Sequence, residues 1–147
     1  MYRLLIVTLS LALCWVQPVT AASNDSHPNF KLDEYAIVFF FSSGCGHCHL
    51  FAPTLKQFEQ QTGLYTYAFS FDGQGMKGFE VPIPVTKDTA ETFFENPRKA
   101  KLPATFLINV NSRKFARMTQ GNVSLQGLHE TYSQIRRDPA VIEALRP

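Results

Sequence analysis

The stretch SSGCGHCHLFAPTL, residues 42–55, decides the fold and carries two chemistries. As Cys-x-x-Cys it is a redox dithiol. As Cys-x-x-Cys-His, with Cys45, Cys48 and His49, it is a site for covalent haem attachment. Its flanks separate the two. Upstream, YAIVFFFSS (35–43) is a continuous apolar run, the pattern of a strand buried on both faces. Downstream, CHLFAPTLKQFEQQTG (48–63) places Leu50, Phe51, Leu55 and Phe58 at helical spacing, with Gly63 ending the helix and Pro53 expected to kink it. Cys45 therefore falls where a strand ends and a helix begins. The unpaired N–H groups and partial positive charge of a helix start favour a thiolate, so Cys45 is the expected attacking sulfur, ionising below a free cysteine. Cys48, one turn on and more buried, is the expected resolving sulfur. Gly46 leaves the backbone open to an incoming peptide. His47, when protonated, adds positive charge near the thiolate and makes the disulfide more oxidising.

The alternative is a c-type cytochrome. Haem attached at Cys45, Cys48 and His49 would need a distal ligand, for which Met76 and Met118 are candidates. Four apolar strands argue against the helical shell of a small cytochrome, and His49 then becomes a surface residue of the helix. A zinc site built from Cys45, His47, Cys48 and His49 would pack four ligands into five residues, which do not easily close a tetrahedron. No metal and no bound cofactor are expected.

The chain has 147 residues, enough for one domain with one core. Hydrophobic residues make up 45% and charged residues 18%, a globular balance that excludes a disordered chain. A net charge of +2 with no basic stripe excludes a nucleic-acid binder. Residues 1–22, MYRLLIVTLSLALCWVQPVTAA, read as a cleaved secretory signal peptide: Arg3, then an apolar run too short to span a bilayer comfortably, then Pro18 and small residues at a cleavage site. Cleavage would remove Cys14 and leave Cys45 and Cys48 as a single pair. A loop that short staples little chain, so the pair is chemical rather than structural. The expected location is the periplasm.

The remaining pattern gives a polar leader over 23–34 and one domain over 35–147. LYTYAFSFD (64–72) reads as a second strand and GQGMKGFEVPIPVTK (73–87) as loop. DTAETFFEN (88–96) reads as a short helix, with Asp88 and Glu91 at capping-box spacing. ATFLINV (104–110) and KFARMT (114–119) form a hairpin across Asn111-Ser112. Ser124 caps a helix over 125–137, and Asp138-Pro139 starts a last helical turn. The expectation is an α/β fold: a mixed sheet of about four strands, βαβ then ββα, flanked by helices.

IVFFFSSGCGHCHLFAPTL, LPATFLINV and QGNVSLQGL together resemble the thioredoxin superfamily, with the dithiol, Pro53, Pro103 and Gly121 in order. The resemblance implies a thioredoxin-like fold and a cis proline at Pro103 beside the dithiol. Leu102 would be the residue whose backbone pairs with substrate. Over about residues 36–132, YAFSFDGQG, ETFFEN and PATFLINVN are similar to the TrbB family, exported thiol-disulfide isomerases of F-type conjugative transfer systems. That resemblance implies a disulfide isomerase or oxidase acting on thiols and disulfides of secreted or pilus-assembly proteins. A membrane thiol reductase or oxidase would be its redox partner. The CGHC core is similar to that of protein disulfide isomerase; if the potential travels with it, the site is more oxidising than thioredoxin by about 90 mV, or ~4 kcal/mol. Two departures from thioredoxin count against a reductase: Gly44 stands where thioredoxin has Trp, and Phe39 where it has a buried acid. Arg98, Lys99 and Lys101, just before Pro103, either raise the thiolate fraction, receive acidic substrate segments, or form a solvated loop.

Overall fold

Alternate residues of the first strand serve two separate cores. Every residue of β1, Tyr35–Phe41, is buried. Tyr35, Ile37, Phe39 and Phe41 enter one cluster, while Val38 and Phe40 enter another. This is the period-two consequence of a central strand covered on both sides. In this computed structural model, which describes residues 30–147, β1 is followed by α1 (Gly46–Thr62), β2 (Tyr65–Ser70) and β3 (Ile83–Pro84). The chain continues through α2 (Lys87–Phe93), β4 (Ala104–Asn109), β5 (Phe115–Gln120), α3 (Leu125–Arg137) and α4 (Pro139–Leu145).

The sheet is mixed, in the order β3-β2-β1-β4-β5. β1 runs parallel to β2 and antiparallel to β4, and β4 pairs antiparallel with β5. The α/β arrangement implied by the resemblance is present, with five strands in place of about four. The extra strand, Ile83–Pro84, pairs with Phe69 and Ser70 at the sheet edge. It lies inside the segment read as loop. Two residues carry no periodicity, and proline is tolerated only where a ladder N–H is dispensable, as at an edge. The same segment folds Met76 and Phe79 inward across a tight bridge, where both are buried.

Helix α1 buries Cys48, Phe51, Ala52, Leu55 and Phe58, an i, i+3, i+4, i+7, i+10 stripe against the sheet. Leu50 is off this stripe, at 64% exposed, because one step of about 100° carries it past the core side. Pro53 stands on the exposed side within one continuous helix. Gly63 ends it in the left-handed region, φ 74°.

The first cluster packs α1, α3 and α4 on one face of the sheet; the second seats α2 on the other. Helix α2 is capped by Thr86, whose hydroxyl accepts the Thr89 N–H at 3.1 Å. Asp88 is therefore a first-turn acid, not the cap. Ser124 does cap α3, accepting the Gly127 N–H at 3.1 Å. Asp138 starts α4, which continues for seven residues rather than one turn. Phe30 and the 3-10 turn Leu32–Glu34 belong to the packed domain: Phe30 stacks on Tyr35 and meets the edge of Tyr132. The signal peptide assigned to 1–22 and leader residues 23–29 lie outside the described residues. Among the described residues, no helix is long and apolar enough to cross a membrane.

Candidate functional site

Cys45 is the N-cap of α1, in extended conformation, and its Sγ accepts the Cys48 N–H at 3.2 Å. The Cys45 carbonyl accepts the N–H groups of Cys48 and His49 at 3.0 and 3.2 Å. This is the junction expected from the sequence, because β1 runs out of buried positions at Phe41 and α1 begins at Gly46. Cys45 and Cys48 are joined in a disulfide with Cα atoms 5.2 Å apart. Cys45 is half-buried, and Cys48, in the first turn of α1, is fully buried within the first cluster. One sulfur can meet an incoming disulfide; the other can be reached only through its neighbour. The helix terminus supplies the Cys48 N–H and the helix dipole to a Cys45 thiolate, while apolar burial disfavours charge on Cys48.

His47 is exposed, one residue inside the helix. A Cβ on Gly46 would meet no atom within 4 Å, so the backbone before Cys48 faces open space. The Leu102–Pro103 bond is cis. The pairing of Phe40 with Ala104 carries Pro103 alongside the end of β1, four residues before Cys45. The Pro103 carbonyl already accepts the Gly121 N–H at 2.7 Å. The Leu102 backbone, by contrast, makes no hydrogen bond among the described residues, which leaves its N–H and C=O available. Leu102 and Cys45 both border the first cluster. Arg98, Lys99 and Lys101 are exposed, and no ion pair involves them among the described residues.

The residues do not fit a covalently bound haem. Attachment needs both sulfurs open to the porphyrin edge and a His free to face the iron. Cys48 is 0% exposed, and Met76 and Met118 are core residues at 6% and 7%. The ring of His49, exposed as expected, is engaged at the Ser43 carbonyl, 2.6 Å from Nε2.

Sequence reasoning missed a second layer around the turn. Asp72, in the loop after β2, accepts five hydrogen bonds. Its Oδ2 receives the Ser42 hydroxyl (2.6 Å), the Ser43 hydroxyl (2.8 Å) and the Ser43 N–H (2.9 Å). Its Oδ1 receives the Ser70 hydroxyl (2.7 Å) and the Gln74 N–H (3.2 Å). These donors, Ser42 foremost and then Ser70, hold its carboxyl well below the usual aspartate range. The stabilisation from this group is in place above the ordinary aspartate value and is lost only as pH falls through the folded one. The available signal was the pair of hydroxyls directly before Gly44-Cys45 and the Asp opening DGQG.

Residues 31–132 match the family model described as "TraF: F plasmid transfer operon protein". The chain belongs to the TraF family. Protein TrbB of Escherichia coli (strain K12) is 38% identical to this TraF-family chain over 97 residues, covering 66% of the chain and 53% of the relative. The chain thus spans about half the length of that relative. Among solved structures, it is similar to the thioredoxin domain of a thiol-disulfide oxidoreductase from Bacteroides vulgatus, at 17% identity and TM-score 0.46 over 71% of this chain and 80% of that one. It is also similar to a thiol:disulfide interchange protein from Bacteroides sp., at 17% identity and TM-score 0.47 over 72% and 75%.

Proposed function

We propose that this TraF-family chain is an exported, periplasmic thiol-disulfide oxidoreductase, acting mainly as a disulfide isomerase or oxidase on secreted proteins of conjugative transfer. The observation that carries the reading is the asymmetry of the pair: Cys45 half-exposed at a helix N-cap with an N–H aimed at its sulfur, Cys48 buried behind it. The Cys45 thiolate attacks a client disulfide, breaking its S–S bond and expelling one client sulfur as a thiolate. The Cys45–client mixed disulfide then has two exits. In the first, the expelled client thiolate attacks another disulfide of the client, and the thiolate freed there attacks the client sulfur of the mixed disulfide, forming a new client S–S bond and expelling the Cys45 thiolate, which is isomerisation. Alternatively Cys48 attacks Cys45, which releases a reduced client and leaves the Cys45–Cys48 disulfide.

The surroundings of Cys48 favour the first exit. Among the described residues no carboxylate and no histidine is buried, and Phe39, Phe51 and Phe79 belong to the same apolar cluster as Cys48. Cys48 has no internal base there to take its proton, so the mixed disulfide persists long enough for the client to rearrange. Leu102, with its unpaired backbone, is the proposed pairing site for an extended client segment beside Pro103 and Gly46. A membrane thiol reductase would keep the pair reduced for isomerisation, and a membrane oxidase would maintain the disulfide for oxidation. Export rests on residues 1–22 acting as a cleaved signal peptide.

Equilibration with glutathione tests the reading. The Cys45–Cys48 disulfide should be more oxidising than that of thioredoxin by about 90 mV. His47→Pro should lower the potential by removing the imidazole between the two cysteines. A potential as low as thioredoxin's would favour a reductase instead. An unchanged value in His47→Pro would remove His47 from the chemistry.

A further inference from the structure

Ser43 spends all its polar atoms on one turn. Its N–H and hydroxyl donate to Asp72 at 2.9 and 2.8 Å, and its carbonyl receives His49 Nε2 at 2.6 Å. A carbonyl can only accept, so His49 carries its proton on Nε2. Ser42 is held twice as well: its hydroxyl donates to Asp72, and its carbonyl accepts the Cys45 N–H at 3.0 Å. The turn Ser42–Cys45 is therefore closed by its own hydrogen bond and fastened from outside by a side chain thirty residues away in sequence. Asp72 is in turn fixed to the end of β2 through the buried Ser70. The chain from Asp72 to Cys45 needs no contact between the two: Asp72 sets Ser42 and Ser43, and Ser42 sets the Cys45 N–H.

A turn that only joined a strand to a helix would not need so many donors gathered on one carboxylate. A Cβ on Gly44, next in the turn, would meet no atom within 4 Å, so that position adds no packing and the hydrogen bonds of Ser42 and Ser43 fasten the turn there. The stabilisation that a Cys45 thiolate draws from the Cys48 N–H depends on Cys45 keeping its N-cap conformation, in which sulfur and N–H are 3.2 Å apart.

We propose that Asp72 is a positioning residue for the attacking sulfur: by locking Ser42 and Ser43 it holds Cys45 at the helix N-cap and so favours its thiolate. The proposal rests on the reading of Cys45 as the attacking sulfur. It makes a prediction opposite in sign to simple electrostatics. A carboxylate near a thiolate repels it, so deleting the charge alone would make Cys45 ionise more easily. Deleting the clamp should make it ionise less easily.

The test is the pH profile of alkylation by iodoacetamide of the mature protein, in a Cys48→Ala background where Cys45 is the one remaining thiol. Three proteins are compared: the reference, Asp72→Asn, and Ser42→Ala with Ser43→Ala, which keeps the carboxylate while removing two of its three hydroxyl donors. The reference midpoint should lie below that of free cysteine. Both variants should move it upward and slow alkylation at pH 6 by about three- to tenfold. A midpoint unmoved in the serine double variant, or moved downward in Asp72→Asn, overturns the positioning role. A reference midpoint already at the free-cysteine value overturns the reading of Cys45 itself, and the positioning with it. The serine variant removes two hydroxyls and no backbone contact, so it remains informative if Asp72→Asn fails to fold.

Discussion

Cys45→Ser is expected to reduce the reshuffling of scrambled ribonuclease to the uncatalysed rate, a loss of at least about a thousandfold. The size of the effect follows from the burial of the pair. Thiol-disulfide exchange requires a sulfur that an incoming disulfide can approach in line. Cys45 is half-buried at the surface end of α1, whereas Cys48 is 0% exposed within the first cluster. Removing Cys45 leaves a buried sulfur that a client disulfide cannot approach, in apolar surroundings that disfavour its thiolate. Serine preserves the side-chain shape and can still accept the Cys48 N–H, so the fold should be unaffected. The loss is chemical. Retention of more than a few per cent of reshuffling in Cys45→Ser would mean that Cys48, or a group outside the pair, attacks directly.

Phe40→Ala should cost about 3–5 kcal/mol of stability. Phe40 is fully buried on the face of the sheet opposite the dithiol. Its ring lies 4.9 Å from Phe94, 5.0 Å from Phe93, 5.3 Å from Phe69 and 5.8 Å from Phe106, measured between centroids. Such pairs contribute about 0.5–1.5 kcal/mol beyond burial. Helix α2 has only seven residues, too few to be stable alone, and Phe93 and Phe94 at its end rest on Phe40. Truncation would therefore open a cavity and remove the seat of α2. Urea denaturation reads the effect as a midpoint lowered by about 2 M with little change in slope. A shift below about 0.5 M would show that the neighbouring rings collapse into the space. In the folded variant the disulfide chemistry should persist, because Cys48 belongs to the other cluster.

The parts of the fold that announce themselves in the sequence are those with strong periodicity. The run 35–41 is apolar at every position because both faces of β1 are covered, and that pattern was legible. The caps at Gly63 and Ser124 were legible because a left-handed residue and a hydroxyl acceptor have specific chemistry. Helix α2 carries a misleading cap signal, since Asp88 and Glu91 mimic a capping box while Thr86, two residues earlier, caps with its own hydroxyl. Leu50 counted as apolar on a helix but falls beside the buried stripe. Strand β3 and the Met76–Phe79 turn left no signal because two paired residues are shorter than any period. At the site, the two cysteines could be placed on the strand–helix junction directly. The Asp72 clamp could not, because it joins Ser42 and Ser43 to a loop thirty residues on through a tertiary contact between the ends of β1 and β2.

The central claim, that Cys45 attacks client disulfides and holds them in a mixed disulfide that Cys48 can break, is tested most directly by trapping. The chain carrying Cys48→Ala is expressed in cells assembling a conjugative apparatus, thiols are blocked in acid, and the cell extract is run on non-reducing gels. The account predicts covalent complexes with exported proteins that vanish on reduction and on adding Cys45→Ser. A Cys48→Ala chain that stays free of covalent partners, with Cys45 intact, would contradict it.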